Sequence, residues 1–106
     1  MNKRKSERDS IEESIVFDVV GQNRKINALL LDLSTTGMGF KSDSTLHYGD
    51  MLIGNLITWN RDKIQVVVKV IRDSKTNDGI VYGCTFVGMS ASDKTKIEMY
   101  QKTRDN

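Results

Sequence analysis

KIQVVVKVIRDS (63–74) and GIVYGCTFVG (79–88) are the two segments that decide the predicted fold. In each of them the side chains alternate between two faces, which is the period of a β-strand with one buried face. The residues predicted to line the core are Ile64, Val66, Val68 and Val70 in the first segment and Tyr82, Cys84 and Phe86 in the second. Only residues 75–78 separate the segments, whereas a parallel pair needs a crossover of about a dozen residues or more. We therefore expect an antiparallel pair.

Four further segments before this pair have the same strand-like pattern, in which β-branched and aromatic residues are bounded by Gly, Asn, Asp and Ser. They are SIVFDVV (14–20), RKINALLLDLS (24–34), GMGFKS (37–42) and GDMLIGNLITW (49–59). Short connections favour consecutive antiparallel pairing, and closing such strands into a barrel removes the exposed edges that promote aggregation. The sequence therefore predicts an all-β fold, a six-stranded antiparallel β-barrel.

The N-terminal residues lack this strand-like pattern. MNKRKSERDS (1–10) has no apolar side chain beyond the initiator methionine, so it cannot nucleate packing. We expect residues 1–12 to form a flexible, basic N-terminal arm. Residues 13–106 are expected to form a single domain, because a chain of 106 residues is long enough for one core and too short for two.

The C-terminal residues also lack the strand-like pattern, and their sequence instead favours a helix at about residues 90–104. Ser90 and Asp93 have the spacing of a capping box at its start. Ile97 and Tyr100 lie three residues apart and share one helical face. Because so weakly amphipathic a helix needs tertiary packing to be stable, we expect it to brace one end of the barrel.

Composition limits the classes of function. The chain is 38% hydrophobic and 28% charged, with a net charge of +2 at pH 7. Its basic excess lies in the N-terminal arm, not over the broad cationic face that DNA or RNA binding requires. No apolar run approaches the roughly 18 residues of a membrane span, and no secretory signal pattern is present. With Cys84 as its single cysteine, we expect a cytoplasmic protein that inserts into no membrane and binds neither DNA nor RNA.

Catalysis and metal binding find no support in the residues. His47 is the only histidine and lies far in sequence from Cys84, so there is no zinc ligand set and no Cys/His nucleophile pair. Glu12 and Glu13 are adjacent carboxylates, but they precede the first strand without an apolar pocket that would support acid–base catalysis. We predict a protein that is not an enzyme and that holds no metal or cofactor.

Two short motifs carry the functional signal. DLSTTG (32–37) ends a long apolar run, and alone its pattern D-x-S-x-x-G predicts only a tight turn, because Asp and Ser bond to nearby backbone and Gly permits sharp bends. The pattern R-x-x-x-R is formed by Arg4 and Arg8 at the N-terminus. In this order, followed by the valine-rich strand, YGCTF (82–86) and a terminal helix, the two motifs resemble the PilZ domain, the bacterial receptor module for cyclic di-GMP.

The resemblance implies a barrel of the split-barrel type with a terminal helix, in agreement with the strand pattern. It also implies that Arg4 and Arg8 clasp the phosphates and guanine edges of cyclic di-GMP. Asp32 and Ser34 would contact a guanine, and Gly37 would let the turn bend and the ligand approach the backbone. Arginine suits this role because its planar guanidinium group can donate two parallel hydrogen bonds to a phosphate or to O6 and N7 of guanine. Further candidates for ligand contact are Lys3, Lys5 and Arg72.

The function that the resemblance implies is a non-catalytic receptor whose arm becomes ordered on binding and so changes contacts with an unidentified effector protein, in motility or biofilm regulation. Lys3 stands where many family members have another arginine, which leaves open whether one nucleotide or a stacked pair binds.

Two other functions stay open. One is an adaptor of the same fold that binds protein but no nucleotide; the other is a small-barrel binder of single-stranded nucleic acid, which an aromatic content of 7% supports poorly.

Overall fold

The computed structural model describes residues 13–57 and 63–105, with side chains described as far as residue 99. Within these residues the chain forms six strands and one helix. They are β1 (Glu13–Val19), β2 (Arg24–Leu33), β3 (Gly37–Ser42), β4 (Met51–Ile57), β5 (Lys63–Thr76), β6 (Gly79–Phe86) and α1 (Ala91–Asp105). The predicted N-terminal arm and the end of the predicted strand 49–59 after Ile57 lie outside the described residues.

The strands form a closed antiparallel barrel in the order β1-β2-β3-β6-β5-β4, so the predicted fold is confirmed. Consecutive strands pair except at β3, whose second neighbour is β6, and the barrel closes between β1 and β4. Residues 43–50 carry the chain from β3 to β4. Tyr82 holds this connection in place, because its hydroxyl donates to the Ser44 carbonyl at 2.8 Å and accepts from the Leu46 amide at 2.8 Å.

The core consists of the alternating side chains that point into the barrel. Three aromatic rings pack at its centre, with ring centroids 5.0 Å apart for Phe17 and Phe40 and 5.5 Å apart for Phe40 and Tyr82. The predicted inward face of β5 is confirmed, since its four apolar residues are at most 1% exposed; they are Ile64, Val66, Val68 and Val70. On β6, Tyr82 and Cys84 are buried and Phe86 packs against the core while partly exposed.

Two β-bulges interrupt the alternation, one on each side of the β3–β6 pair. In β2 the pairing with β3 shifts between Leu30 and Asp32, and in β5 the pairing with β6 shifts between Val70 and Arg72. An extra residue in a strand turns the residues that follow it to the opposite face. Strict alternation from Leu30 and Val70 would direct Asp32 and Arg72 into the apolar core. The bulges place both charged side chains on the outer surface instead.

Helix α1 follows β6, and in its described part Ile97 is fully buried and belongs to the core of the barrel. The helix begins as the capping pattern predicts, because the Ser90 hydroxyl accepts a hydrogen bond from the Asp93 amide at 3.1 Å. Met99, two residues after Ile97, is 61% exposed. In the part of the chain that the structure describes, no helix is long and apolar enough to cross a bilayer.

Candidate ligand-binding site

A shallow cavity of about 190 Å³ opens on the outer surface where the end of β2, the start of β3, and strands β5 and β6 meet. Four predicted site residues line it, and they are Asp32, Ser34, Gly37 and Arg72. Asp32, Ser34 and Gly37 come from the D-x-S-x-x-G motif, whereas Arg72 reaches the cavity from the opposite side, on β5. The fold therefore brings an acidic and a basic residue that are far apart in sequence to one surface site.

Asp32 and Arg72 occupy the two ends of a single row of paired residues. Asp32 of β2 pairs with Gly39 of β3, Gly39 pairs with Gly83 of β6, and Gly83 pairs with Arg72 of β5. Paired residues of neighbouring strands direct their side chains to the same face of a sheet. This set, here named the Asp32–Arg72 row, therefore has a charged side chain at each end and bare backbone in the middle.

The two glycines of the row make room for the charged side chains. A β-carbon added to Gly39 would lie 2.9 Å from Asp32 Oδ2, and one added to Gly83 would lie 2.7 Å from Arg72 Nε. The carboxylate thus lies over the backbone of Gly39 and the guanidinium over that of Gly83. Each side chain leans from its own strand towards the middle of the row.

The two charges of the row are available to a ligand. In the described residues, the ion pairs join Lys25 to Asp18 at 2.6 Å and Lys41 to Asp78 at 2.9 Å. Neither the Asp32 nor the Arg72 side chain takes part in an ion pair or a hydrogen bond with another described residue. The row therefore offers a hydrogen-bond acceptor at one end and a donor at the other, and no side chain among the described residues satisfies either of them.

Ser34 shapes the turn between β2 and β3. Its hydroxyl oxygen accepts hydrogen bonds from the amides of Thr36 and Gly37, both at 3.2 Å, and lies 3.1 Å from the Thr36 hydroxyl. Its own amide donates to the Gly37 carbonyl at 2.9 Å. The turn is joined to β6 in addition, because the Thr36 carbonyl accepts from the Phe86 amide at 3.0 Å. Ser34 therefore fixes the geometry of the motif whether or not it contacts a ligand.

Gly37 is required by the close approach of two strands. It is absent from the positive-φ glycines of the described chain, which are Gly21, Gly49, Gly79 and Gly88. A β-carbon at position 37 would instead overlap the backbone carbonyl oxygen of Cys84 on β6. The expected bending of the turn is carried by the hydrogen bonds of Ser34, and the missing side chain of Gly37 lets β3 lie against β6.

Cys84 lies beneath the cavity as an unreactive, apolar side chain, as predicted from its place in the strand pattern. Burial raises the pKa of the Cys84 thiol to about 12, and the positive charge of Arg72 opposes this rise only in part. The thiolate that would act as a nucleophile or a metal ligand is therefore not formed near neutral pH. His47 is exposed in a turn, and the described residues contain no group of three or more His, Cys, Asp or Glu that could hold a metal ion.

A second cavity, of about 400 Å³, lies beside the turn between β1 and β2. Its charged lining residues are Asp18, Arg24 and Lys25. Asp18 and Lys25 form an ion pair, and Arg24 donates to the Thr45 carbonyl at 2.9 Å and to Gln22 at 3.1 Å. Because these groups already bind one another or the backbone, this cavity is a weaker candidate than the one at the Asp32–Arg72 row.

Sequence reasoning found part of this site. The motif identified Asp32, but Arg72 was only a further candidate, and the two glycines of the row were not recognised. A glycine inside a strand often marks a close approach of a backbone or a ligand, so YGCTF contained a usable signal for Gly83. The predicted contacts Lys3, Arg4, Lys5 and Arg8 lie outside the described residues.

Comparison with known proteins agrees with the resemblance. The family model described as PilZ domain matches residues 2–101. No curated protein matches the chain at a significant level. Among solved structures, the PilZ domain of YcgR from Escherichia coli, a structure with c-di-GMP, aligns with a TM-score of 0.67 and 13% identity over 85% of this chain and 79% of that one.

Two longer proteins also have similar structures. MrkH of K. pneumonia aligns with a TM-score of 0.71 and 14% identity, over 96% of this chain and 49% of its own. The Bacillus subtilis inhibitor of motility, MotI/DgrA, aligns with a TM-score of 0.71 and 14% identity, over 98% of this chain and 51% of its own. The chain thus spans about half the length of these two proteins and shares their fold.

Proposed function

The chain belongs to the PilZ domain family, and from this premise we propose that it is a non-catalytic receptor for cyclic di-GMP. The observation that carries the proposal is the pair of motifs inside the matched region, R-x-x-x-R at Arg4 and Arg8 and D-x-S-x-x-G from Asp32 to Gly37. The second motif lies at a surface cavity in this structure. The structure of the E. coli YcgR domain with c-di-GMP, which has the same fold, supports this choice of ligand.

The chemistry of the site residues suits this ligand. Cyclic di-GMP carries two phosphodiester charges and two guanines with O6 and N7 acceptors, which are the groups that arginine binds with paired hydrogen bonds. Arg4 and Arg8 supply these contacts, with Lys3 and Lys5 as further cations beside them. Asp32 accepts hydrogen bonds from the N–H groups of a guanine. Ser34 holds the turn that presents Asp32, and Gly37 lets the strands approach.

Binding would fix the N-terminal residues against the barrel and so change the surface that the protein offers to an effector protein. The effector itself is not identified by any residue pattern in the chain. Motility and biofilm formation are the processes that we propose for the output. The similar fold of the B. subtilis protein, which is named as an inhibitor of motility, supports this choice. The receptor acts in the cytoplasm in this proposal.

A second candidate function is that of an adaptor of the same fold that contacts proteins and binds no nucleotide. One observation favours it. Apolar side chains are exposed on the outer face of β1 and β4 and directly after β1, since Val16 is 52%, Val20 47% and Ile57 50% exposed. Exposed apolar surface of this kind is found at protein contacts. The same surface is compatible with a receptor that binds both nucleotide and effector, so nucleotide binding is the property to test.

Calorimetric titration of cyclic di-GMP into the full chain tests the proposal, with GMP as a control ligand. We expect saturable binding by the wild type and at least a ten-fold loss in Arg8→Ala, since a charge-assisted hydrogen bond contributes about 1.5–3 kcal/mol. Lys94→Ala, which removes an exposed cation of α1, should bind as the wild type does. A folded wild type that releases no heat with cyclic di-GMP would contradict the receptor function and favour the adaptor.

A further inference from the structure

We infer that Arg72 is a specificity-determining residue for guanine, acting from the barrel opposite Asp32, and that Gly83 is the position that allows it to do so. The inference rests on the proposed function and adds to it a binding group on β5, outside the two motifs. It starts from the Asp32–Arg72 row, where a carboxylate and a guanidinium that pair with no side chain of the described residues lie over two neighbouring glycines.

The size of the row fits one planar base. Gly39 and Gly83 are paired across neighbouring strands, whose backbones lie about 4.8 Å apart. Asp32 and Arg72 lie one strand further out on each side, so their backbones are three strand spacings, about 14 Å, apart along the sheet. Their side chains form no ion pair with each other and can lean apart to admit one planar base. With no side chain on either glycine, a ligand ring can lie against bare backbone between the two charges.

The chemistry of the row matches guanine in particular. Guanine has N–H donors at N1 and N2 and acceptors at O6 and N7, so it presents donors and acceptors on neighbouring parts of its outline. Asp32 would accept from the donors, and the fork of Arg72 would donate to O6 and N7. Adenine has an amino donor in place of O6, so it would direct a donor at the Arg72 guanidinium. A base with the wrong pattern leaves polar groups of the site unsatisfied, which is costly.

Gly83 acts through Arg72. A β-carbon at position 83 would lie 2.7 Å from Nε and 2.8 Å from Cγ of Arg72, well inside van der Waals contact. These atoms belong to a flexible, exposed side chain, so the barrel can accept Gly83→Ala by displacing the arginine. The substitution therefore moves the guanidinium away from its place over the row without removing its charge.

The test compares cyclic di-GMP with its analogue in which a C–H group replaces N7 of each guanine, because both ligands keep the phosphates. Affinities are measured by calorimetry for the wild type, Arg72→Ala and Arg72→Lys. We expect Arg72→Ala to weaken cyclic di-GMP binding about 10- to 100-fold, the effect of losing charge-assisted hydrogen bonds. Lys75→Ala, which removes an exposed cation from the same strand, serves as the matched control and should bind normally.

The N7 analogue separates base recognition from simple attraction between charges. The wild type should lose affinity for the analogue, and this loss should be smaller in Arg72→Ala and in Arg72→Lys, because neither variant has the fork that reaches N7 and O6 together. An equal loss in all three proteins would overturn the assignment to guanine. Equal affinity of wild type and Arg72→Ala for cyclic di-GMP would overturn the inference and leave the proposed function intact. No binding by the wild type would overturn both.

A double-mutant cycle tests the role of Gly83. Gly83→Ala should weaken cyclic di-GMP binding in the wild type but change it little in Arg72→Ala, because the arginine that it displaces is then absent. Circular dichroism confirms that each variant is folded. If Gly83→Ala has the same effect in both backgrounds, it acts by some route other than Arg72, and this part of the inference is wrong.

Discussion

Gly37 of the cavity and the two glycines of the Asp32–Arg72 row differ in what an added methyl group would meet. At Gly37 it would overlap the backbone carbonyl of Cys84, which cannot move without shifting β6. At Gly39 the nearest atoms that it would meet belong to the carboxylate of Asp32, and at Gly83 they belong to the side chain of Arg72. A clash with backbone strains the fold, whereas a clash with the far end of a side chain displaces that side chain. One substitution, glycine to alanine, therefore separates structural from ligand-binding roles.

We expect Gly37→Ala to lower the free energy of unfolding by about 1–3 kcal/mol, the usual cost of forcing extra volume into a packed site. Gly39→Ala should change stability less, and should instead weaken cyclic di-GMP binding by displacing the Asp32 carboxylate. Urea unfolding and calorimetric titration of both variants measure the two effects. Equal destabilisation by the two substitutions would show that the approach of β3 to β6 is not what requires Gly37.

Single residues at the site could be predicted from sequence only where a motif marked them. Asp32 and Ser34 were found because their order and spacing with Gly37 form a pattern. Arg72 had no such pattern, and as an arginine after an apolar strand it is typical of a solvated side chain. Its exposure agrees with that interpretation, but its position opposite Asp32 depends on the pairing of four strands, which a single sequence does not reveal.

The strands themselves were predictable because apolar residues recur on one face of a strand, and this alternation indicates which face is buried. In β5 the inward positions from Ile64 to Val70 follow this period without exception. The two bulges could not be predicted in the same way, because an extra residue changes the pairing with a neighbouring strand while leaving a sequence that still reads as a strand. Since the bulges direct Asp32 and Arg72 outwards, the site depends on the least predictable feature of these strands.

Helix α1 is the element whose docking depends most on one residue. Ile97 is fully buried, and the helix has weak amphipathic character. We expect Ile97→Ala to lower the free energy of unfolding by about 2–4 kcal/mol, since it removes buried methyl groups and leaves a cavity. Met99→Ala, at a side chain that is 61% exposed, is the matched control and should change stability by less than about 0.5 kcal/mol.

Chemical denaturation followed by circular dichroism measures both helix variants. A loss of helical signal in Ile97→Ala while the β signal persists would show that the barrel folds without the helix. Similar stabilities of Ile97→Ala and Met99→Ala would contradict the prediction and would mean that contacts other than Ile97 hold the helix against the barrel.

At the scale of the whole molecule, the candidate site extends over four strands of the closed barrel. The Asp32–Arg72 row crosses β2, β3, β6 and β5 and leaves out β1 and β4. Exposed apolar side chains lie on these two strands, at Val16 and Ile57, and directly after β1, at Val20. One part of the barrel surface is therefore suited to a polar ligand and another to an apolar contact. A ligand bound across the row would contact strands that separate when the barrel unfolds.

Cyclic di-GMP should therefore stabilise the entire fold against heat. A ligand that binds only the folded state at 100 times its Kd adds about 2.7 kcal/mol, which for a domain of this size raises Tm by roughly 10 °C. Thermal unfolding of the wild type with and without the ligand measures this shift, with GMP as the control. Asp32→Ala and Arg72→Ala should each show a smaller shift at the same ligand concentration, because each removes one charged end of the row. A full shift in both variants would place the ligand elsewhere on the barrel, since binding that leaves the row unused does not depend on either charge.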